Sequence, residues 1–379
     1  MAGIPLSVQA REISSSLHEP GWLLQKRLEA VRLLEKRNGT AEISGPTRKG
    51  KLPIKAKCEG NVAMLSVQQA LSKGNALQEQ FGKPFSGREP DSYLLSFALF
   101  TDAAVFAANS GKPARIFAEM TGKAPEHFAV FFLFADRSEA AVSFGKRLTS
   151  SSNDCLGLMI GDDADVEFCH LQQNGAGVDG ESGVFARLGE NSQLKFLNSS
   201  LGGRKKREQV VFLQDGRGSK CWHFEASLAK GAQKIHKDSE LLHVAPDTYS
   251  RSIFKYAAAG SSRVEVNGNV TIERSAPGSD THLLAKSLLL SKNSVSRIVP
   301  QLFVRNSEVM AGHGSAMTPL DGEELFYLQS RGIGENESRR LVLHGFLLEL
   351  LEKSGISAEI LAPLEAGIQK EAREIFPGD

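Results

Sequence analysis

Between Pro20 and Gly39 the stretch EPGWLLQKRLEAVRLLEKRNG sets Trp22, Leu23, Leu28, Val31, Leu33 and Leu34 on a helical period, which predicts an amphipathic helix. A polar region dotted with glycine and proline follows over 40–60. A mixed segment then runs to about residue 112, in which YLLSFALFTDAAVFAA reads as a buried helix or a strand pair. From about residue 113 the texture changes to short alternating or β-branched runs separated by Gly, Asn, Asp and Ser, the signature of strands and turns. Helical patterning returns only after Pro319. Asp321 and Glu324 make a start resembling a capping box, with Leu325, Phe326 and Leu328 as the apolar face. A second helix over 335–355 carries Leu341, Leu343, Phe346, Leu347, Leu350 and Leu351 and stops at Ser354-Gly355. A third follows Pro363 as LEAGIQKEAREIF.

The strand-rich middle repeats itself. ADRSEAAVSF (135–144), GDDADVEF (161–168), GENSQLKF (189–196), GRGSKCWHF (216–224), GSSRVEV (260–266) and SKNSVSRI (291–298) are each a polar turn, a small residue and an alternating strand. Ser138, Ala164, Ser192 and Ser219 lie 26, 28 and 27 positions apart, and Ser262 and Ser294 continue the series more loosely. A strand-and-turn repeat without an intervening helix matches a solenoid in which each rung buries its face on the next. The expected fold is mainly β, a parallel β-helix flanked by N-terminal and C-terminal α-helical regions. An antiparallel sandwich with recurring turns is the alternative. The corresponding division is an N-terminal helical and mixed region 1–112, a β-helix core 113–318 and a C-terminal helical domain 319–379.

Composition narrows the function classes. The chain has 379 residues, 41% of them hydrophobic and 23% charged, with a formal net charge of +1, which speaks against a disordered or nucleic-acid-coating protein. The longest apolar run, FAVFFLFA, is eight residues, well short of the roughly 18 a membrane helix needs. Cys58, Cys155, Cys169 and Cys221 form no CxxC pair and are too few for a disulfide framework, so a reducing, cytoplasmic setting is expected, and no secretory leader is read at the start.

Several strings invite chemistry and fail on context. GAGVDG (175–180) has dinucleotide-loop spacing but runs into strand and turn instead of opening a helix. FGKPFSG lacks a phosphate-cradling loop, so no nucleotide is expected on this chain. GGRKKRE (202–208) reads as a solvated turn, not a nucleic-acid face. Cys169-His170 and Cys221-Trp222-His223 could offer soft and imidazole ligands to iron, and in a strand Cys221 and His223 would share a face with Trp222 opposite. Core packing is the competing role for both cysteines. His313 stands between Gly312 and Gly314, where the glycines leave the imidazole accessible or let it hydrogen-bond a turn.

Three stretches resemble one family. EPGWLLQKRLEA is similar to its N-terminal helix, HLLAKSLLLSKNSVSRIVPQLFVRN to its last rungs, and HGSAMTPLDGEELFYLQSRGI to its long signature of the form H-G-A-T-x-G-x-L-D-E-E-x-L-F-Y-L-x-S-R-G-I. This is the SufB/SufD type of iron–sulfur cluster assembly scaffold. The resemblance implies a right-handed parallel β-helix that is not an enzyme. It also implies pairing with a second copy or a SufB-like paralogue, docking of a SufC-type ATPase through the C-terminal helices, and sulfur delivered indirectly from a cysteine desulfurase.

Aligned on Pro300, the thiolate position of the SufB type falls on Ser294, whereas His313 matches the histidine of the SufD type, so the chain resembles SufD more closely. The implied site is a transient iron–sulfur cluster at a shared subunit interface, with His313 contributing. The implied docking residues are Leu320, Asp321, Glu324, Leu325, Phe326, Tyr327, Arg331 and Gly332. The alternatives are a homodimeric scaffold using Cys169, Cys221 or His223, and a β-helix carbohydrate-active enzyme, which would need paired carboxylates that the turn residues Asp162, Asp163 and Asp165 do not obviously form.

Overall fold

A left-handed residue followed by a buried small one turns the chain at one corner of each of six successive rungs. In the computed structural model, which describes residues 4–39, 42–43, 47, 49–66, 69 and 86–378, Arg137, Asp163, Asn191 and Asp247 have φ between 52° and 58°, and Gly218 and Gly278 take the same place at 68° and 72°. Asn, Asp and Gly reach this region at least cost. The next residues, Ser138, Ala164, Ser192, Ser219, Thr248 and Ser279, are all within 1% of full burial. A strand begins immediately after each.

The described strands, in chain order, are β1 (Ile4–Pro5), β2 (Glu42–Ile43), β3 (Ile54–Glu59), β4 (Val62–Ser66), β5 (Asp102–Ala108), β6 (Ala114–Gly122), β7 (His127–Phe134), β8 (Glu139–Leu148), β9 (Ser152–Ile160), β10 (Asp165–Asn174), β11 (Asp179–Leu188), β12 (Gln193–Gly202), β13 (Lys205–Gln214), β14 (Lys220–Ala229), β15 (Lys234–His243), β16 (Tyr249–Ala258), β17 (Arg263–Ile272), β18 (Asp280–Leu289), β19 (Val295–Val304) and β20 (Met310–Pro319). β1 and β2 form a separate antiparallel pair. From β5 to β20 successive strands do not pair; pairing there links strands two apart, giving one sheet from β20 through the even strands to β6 and β3, and a second from β19 through the odd strands to β5 and β4. The pairings from β5 to β20 are parallel, so two strands make one turn and the chain winds a parallel β-solenoid of eight turns. β3 and β4 join antiparallel and close the N-terminal end.

Two details differ from the sequence reading. The phrases at Ser262 and Ser294 lead into β17 and β19, in the odd sheet, while the series begun at Ser138 continues through Thr248 and Ser279. A buried serine also stands before β17 and β19, at Ser262 and Ser294, so the phrase alone does not say which corner it marks. The solenoid also begins earlier than residue 113: β5 is already parallel to β7. Its sequence DAAVFAA shows little alternation because both faces are covered.

YLLSFALFTDAAVFAA divides into part of a helix, Asp91–Leu99, and β5. GAGVDG spans the turn between β10 and β11, as its context required. The stretch 40–60 and the string FGKPFSG lie partly outside the described residues.

Helices cover both sheets from outside. α1 (Leu6–Leu17), α2 (Gly21–Asn38) and α3 (Asp91–Leu99) pack with Phe131, Phe185, Val211 and Leu213 on the odd sheet. The periodic residues Leu23, Leu28, Val31 and Leu34 of α2 are all buried there. Its Arg27, fully buried, forks onto Glu19 with Nη2 at 2.6 Å, donates to the carbonyls of Phe97, Ala98 and Phe100, and lies 3.9 Å over the Phe100 ring.

On the other side α5 (Glu335–Ser354) and α6 (Ala358–Ile375) bury Leu343, Leu347, Leu350, Leu364 and Ile368 against Leu171, Leu197 and Phe224 of the even sheet. α6 starts five residues before Pro363, not after it. At the sixth position Pro363 leaves the Glu359 carbonyl without its usual helical donor. The remaining helix, α4 (Gly322–Ser330), buries none of its residues. Inside the solenoid a third cluster runs the length of the coil, with Phe106 stacked on Phe132 at 4.8 Å and Phe168 on Phe196 at 5.5 Å.

Candidate functional site

Parallel in-register pairing stacks residues into columns that can be read rung by rung. One inward column of the even sheet runs Ile116, Val142, Phe168, Phe196, His223, Ser252, Leu283, His313. His313 therefore lies in the middle of the last strand, on the face that points into the coil, and not on a hinge. It is exposed because no rung covers it, while Leu283 one rung below is 1% exposed. The flanking glycines do not take left-handed angles. A Cβ on Gly312 would come within 2.8 Å of His282 Nδ1 and one on Gly314 within 3.4 Å of Leu284, so they leave space for the outward side chains of β18.

The final rung is also the unpaired edge of both sheets. Its surface carries Phe303 (46% exposed), Val304 (46%), Met310 (67%) and Met317 (53%). Pro300 stands inside β19, which suits an edge strand because the residue cannot donate to a neighbour on both sides. Ser294 fills the buried corner before β19, and its hydroxyl donates to the Ser291 carbonyl at 2.7 Å.

The other ligand candidates do not converge. Cys221 and His223 share the interior face, with Trp222 turned outward, as alternation predicted. His223 is three rungs from His313, roughly 14 Å at the usual strand spacing. Cys169 faces the opposite way, under α5 and α6. Burial pushes its thiol up to about 12 and raises that of Cys221 as well. His170 is inward and stacks on Phe144 at 5.5 Å; burial, then Lys146, depress its pKa. Among the described residues no three His, Cys, Asp or Glu side chains gather as a metal site, and the four cysteines are free thiols. Asp162 is engaged in the turn ladder, accepting from the Glu190 N–H at 2.7 Å, and Asp163 supplies a left-handed corner.

Sequence reasoning missed an ionic lattice within the coil. Lys146 donates to Asp154 at 2.7 Å and Ser182 at 3.0 Å; Lys206 donates to Gln172 and, at 3.0 Å, to Ser182. Gln172 and Asn198 donate to Glu208 at 2.5 and 2.7 Å, and Lys237 bridges Glu225 at 2.5 Å and Glu208 at 3.1 Å. His223 Nε2 meets Glu225 at 3.1 Å, and its Nδ1 meets Ser239 at 3.3 Å.

Burial favours a neutral Glu208, but Lys237, Lys206, His170 and Lys146 outweigh it and hold the carboxyl well below the usual carboxylate range. Burial and Lys146 push the Lys206 ammonium down to about 8. The signal was present in strings such as KKREQVVF, where Lys206 alternates inward between outward Lys205 and Arg207. Only the register shows which lysine goes in.

The implied docking residues form an exposed ledge. The Asp321 carboxylate caps α4 by accepting from the Glu323 N–H at 2.8 Å. Leu325 and Leu328 are half-buried, Phe326 and Tyr327 are 74% and 59% exposed, and Glu324 is exposed. The apolar face expected of this helix thus points largely to solvent. Arg331 lies 5.4 Å from the Tyr327 ring, Gly332 ends the helix at φ 84°, and Leu320 packs part-buried under it against the α5–α6 cluster.

Comparison with known proteins agrees with this architecture. A family described as "SUF system FeS cluster assembly, SufBD core domain" matches residues 131–346. An iron–sulfur cluster assembly SufBD family protein of Mycobacterium leprae is 33% identical over 248 residues, 63% of this chain and 58% of the relative. One of Mycobacterium tuberculosis is 34% identical over 196 residues, 49% of each chain. The iron–sulfur cluster assembly protein SufB of Bacillus subtilis is 25% identical over 158 residues, 42% of this chain and 34% of the relative. The matched part thus spans less than two thirds of these relatives' own length. The family match covers more than half of the chain, from β7 to α5, and the chain belongs to the SufBD family of iron–sulfur cluster assembly proteins.

Proposed function

We propose that the chain is the SufD-like, non-catalytic subunit of a cytoplasmic iron–sulfur assembly scaffold, joined at its last rung to a SufB-like partner or a second copy. The observation that carries this reading is the uncovered final rung, where His313 faces the coil interior on an open sheet edge beside exposed Phe303, Met310 and Met317. An edge of this kind pairs readily with another strand, and exposed apolar surface marks where a partner belongs. With Ser294 at the position of the thiolate, the partner supplies the sulfur ligands and His313 one imidazole to the cluster being assembled. A single imidazole does not hold a cluster by itself.

The ledge of Phe326, Tyr327 and Arg331 would receive a SufC-type ATPase, which brings the nucleotide that this chain does not bind. No described helix is long and apolar enough to cross a membrane. A homodimer building clusters on Cys169, Cys221 and His223 is disfavoured because the two thiols are buried on opposite faces of one sheet.

Co-expression with a SufB-like protein and a SufC-type ATPase tests the proposal. Both should co-purify with the chain, Phe303→Asp with Met317→Asp should release the SufB-like protein, and Phe326→Ala should weaken only the ATPase. Recovery of neither protein with the parent chain would contradict the reading.

A further inference from the structure

The outer face of the odd sheet carries a trough of about 1120 Å³ that crosses the starts of six strands, β7 to β17, a length of roughly 24 Å at the usual strand spacing. Its floor includes Ser152, Gly180, Lys206 and Ile235. Along it Lys205, Lys234 and Arg263 are direct partners on three consecutive rungs, all exposed. Like charges in register repel. Elsewhere on the solenoid several outward cations do find a carboxylate on the next rung, as in Arg251–Asp280 at 2.9 Å, Lys195–Glu167 at 3.3 Å and Arg187–Asp215 at 2.5 Å, although Glu139 and Asp165 are like-charged direct partners on two rungs.

The carboxylates near the trough do not relieve the ladder. Asp179 is held bidentately by Arg204, Glu181 faces Arg207 at 3.9 Å, Glu265 faces His236 at 3.5 Å, and Glu126 stands at the far end. Among the described residues Lys205, Lys234 and Arg263 have no carboxylate within ion-pair distance, and the sheet backbone fixes their spacing.

We propose that this trough docks an acidic, extended segment of a partner protein, the three cations meeting successive carboxylates. Acidic side chains on every second residue of an extended chain recur at roughly 6.6 Å, which flexible Lys and Arg stems one rung apart can follow. The trough is larger and more open than an ordinary small-molecule pocket. It has no Phe, Tyr or Trp ring on which a base could stack, its one imidazole, His236, is held by Asp238 and Glu265, and it has too few cations to track a nucleic-acid backbone. The trough lies away from α4 and adjoins the last rung only at its Arg263 end, where Arg263 is the direct partner of Val295 in β19.

Fluorescence anisotropy of the full-length chain with a fluorescein-labelled peptide of alternating glutamate and glycine tests this. Saturable one-to-one binding is expected at low salt, weakened about tenfold or more by Lys234→Glu and changed less than about twofold by Lys220→Glu, an exposed charge on the other sheet. Lys234→Glu should also melt no lower than the parent, because it breaks a repulsive ladder. Absent binding, equal loss in both variants, a lower melting temperature for Lys234→Glu, or tighter binding of tripolyphosphate than of the peptide would each overturn the proposal.

Discussion

The two ends of the solenoid are built differently. At the N-terminal end β3 and β4 lie antiparallel across the first rung, and Leu52, Ile54, Ala56 and Val62 pack down onto the interior. Behind them Phe106, Phe132 and Phe134 are within 1% of full burial. At the C-terminal end no strand follows β19 and β20, Ile298 and Leu302 are only partly buried, and Phe303 remains 46% exposed. A repeat fold buries each unit against the next, so a last unit left bare needs either a polar cap or a partner. Among the described residues the final rung has no such cap; the interior face it leaves open carries Ile298, Leu302 and Met317 with Ser296, Ser315 and His313.

Truncation should separate the ends most clearly. Phe132→Ala, in the capped half, should cost about 3–5 kcal/mol in urea unfolding. Phe303→Ala or His313→Ala in the isolated chain should cost about 0.5 kcal/mol or less. Comparable losses at both ends would mean that the last rung is covered in the isolated chain.

The ionic lattice extends the comparison to charge. Lys237→Met would leave Glu208 and Glu225 buried with a missing partner and should cost about 3–5 kcal/mol. Breaking the exposed ion pair between Arg204 and Asp179 should shift the urea midpoint far less than Lys237→Met does.

A smaller effect is expected from pH. Burial pushes His127 down to about 4 and His243 down to about 3 from an ordinary value of 6.5. In the window between these folded values and 6.5 the unfolded chain binds more protons, so stability rises with pH there and falls as pH drops below about 6.5. Urea midpoints should be lower at pH 5 than at pH 7, and His127→Phe should reduce the difference. For Lys206, with its folded value near 8 against 10.5, the same sign makes stability rise between pH 8 and 10.5.

How much of the molecule is legible in its sequence depends on whether the signal is local. The corner phrases are local, and the spacing of Ser138, Ala164, Ser192 and Ser219 is enough to indicate the winding. The same phrases mislead at Ser262 and Ser294, because there a buried serine stands before an odd strand as well. α2 is plain from its leucines, yet Arg27 reads as a surface residue until Glu19 and the carbonyls at the end of α3 close around it. The lattice of Lys146, Lys206, Lys237, Glu208 and Glu225 is only faintly legible, since every one of those residues is ordinarily solvated and alternation alone does not say which of two neighbouring charges turns inward until the cross-rung register is known. At His313 the sequence shows an unusual exposure. Its cause is three-dimensional, an interior column that stops one rung too soon.

The central claim is that a partner completes that column and that His313 serves the cluster assembled there. The direct measurement is the rate of iron–sulfur cluster formation, followed by visible absorption, in the chain co-assembled with a SufB-like protein and a SufC-type ATPase, parent against His313→Ala. The account predicts a complex that assembles normally but forms clusters at least about tenfold more slowly, as expected on losing one ligand at a shared site. Cluster formation at the parental rate in an intact His313→Ala complex would contradict it.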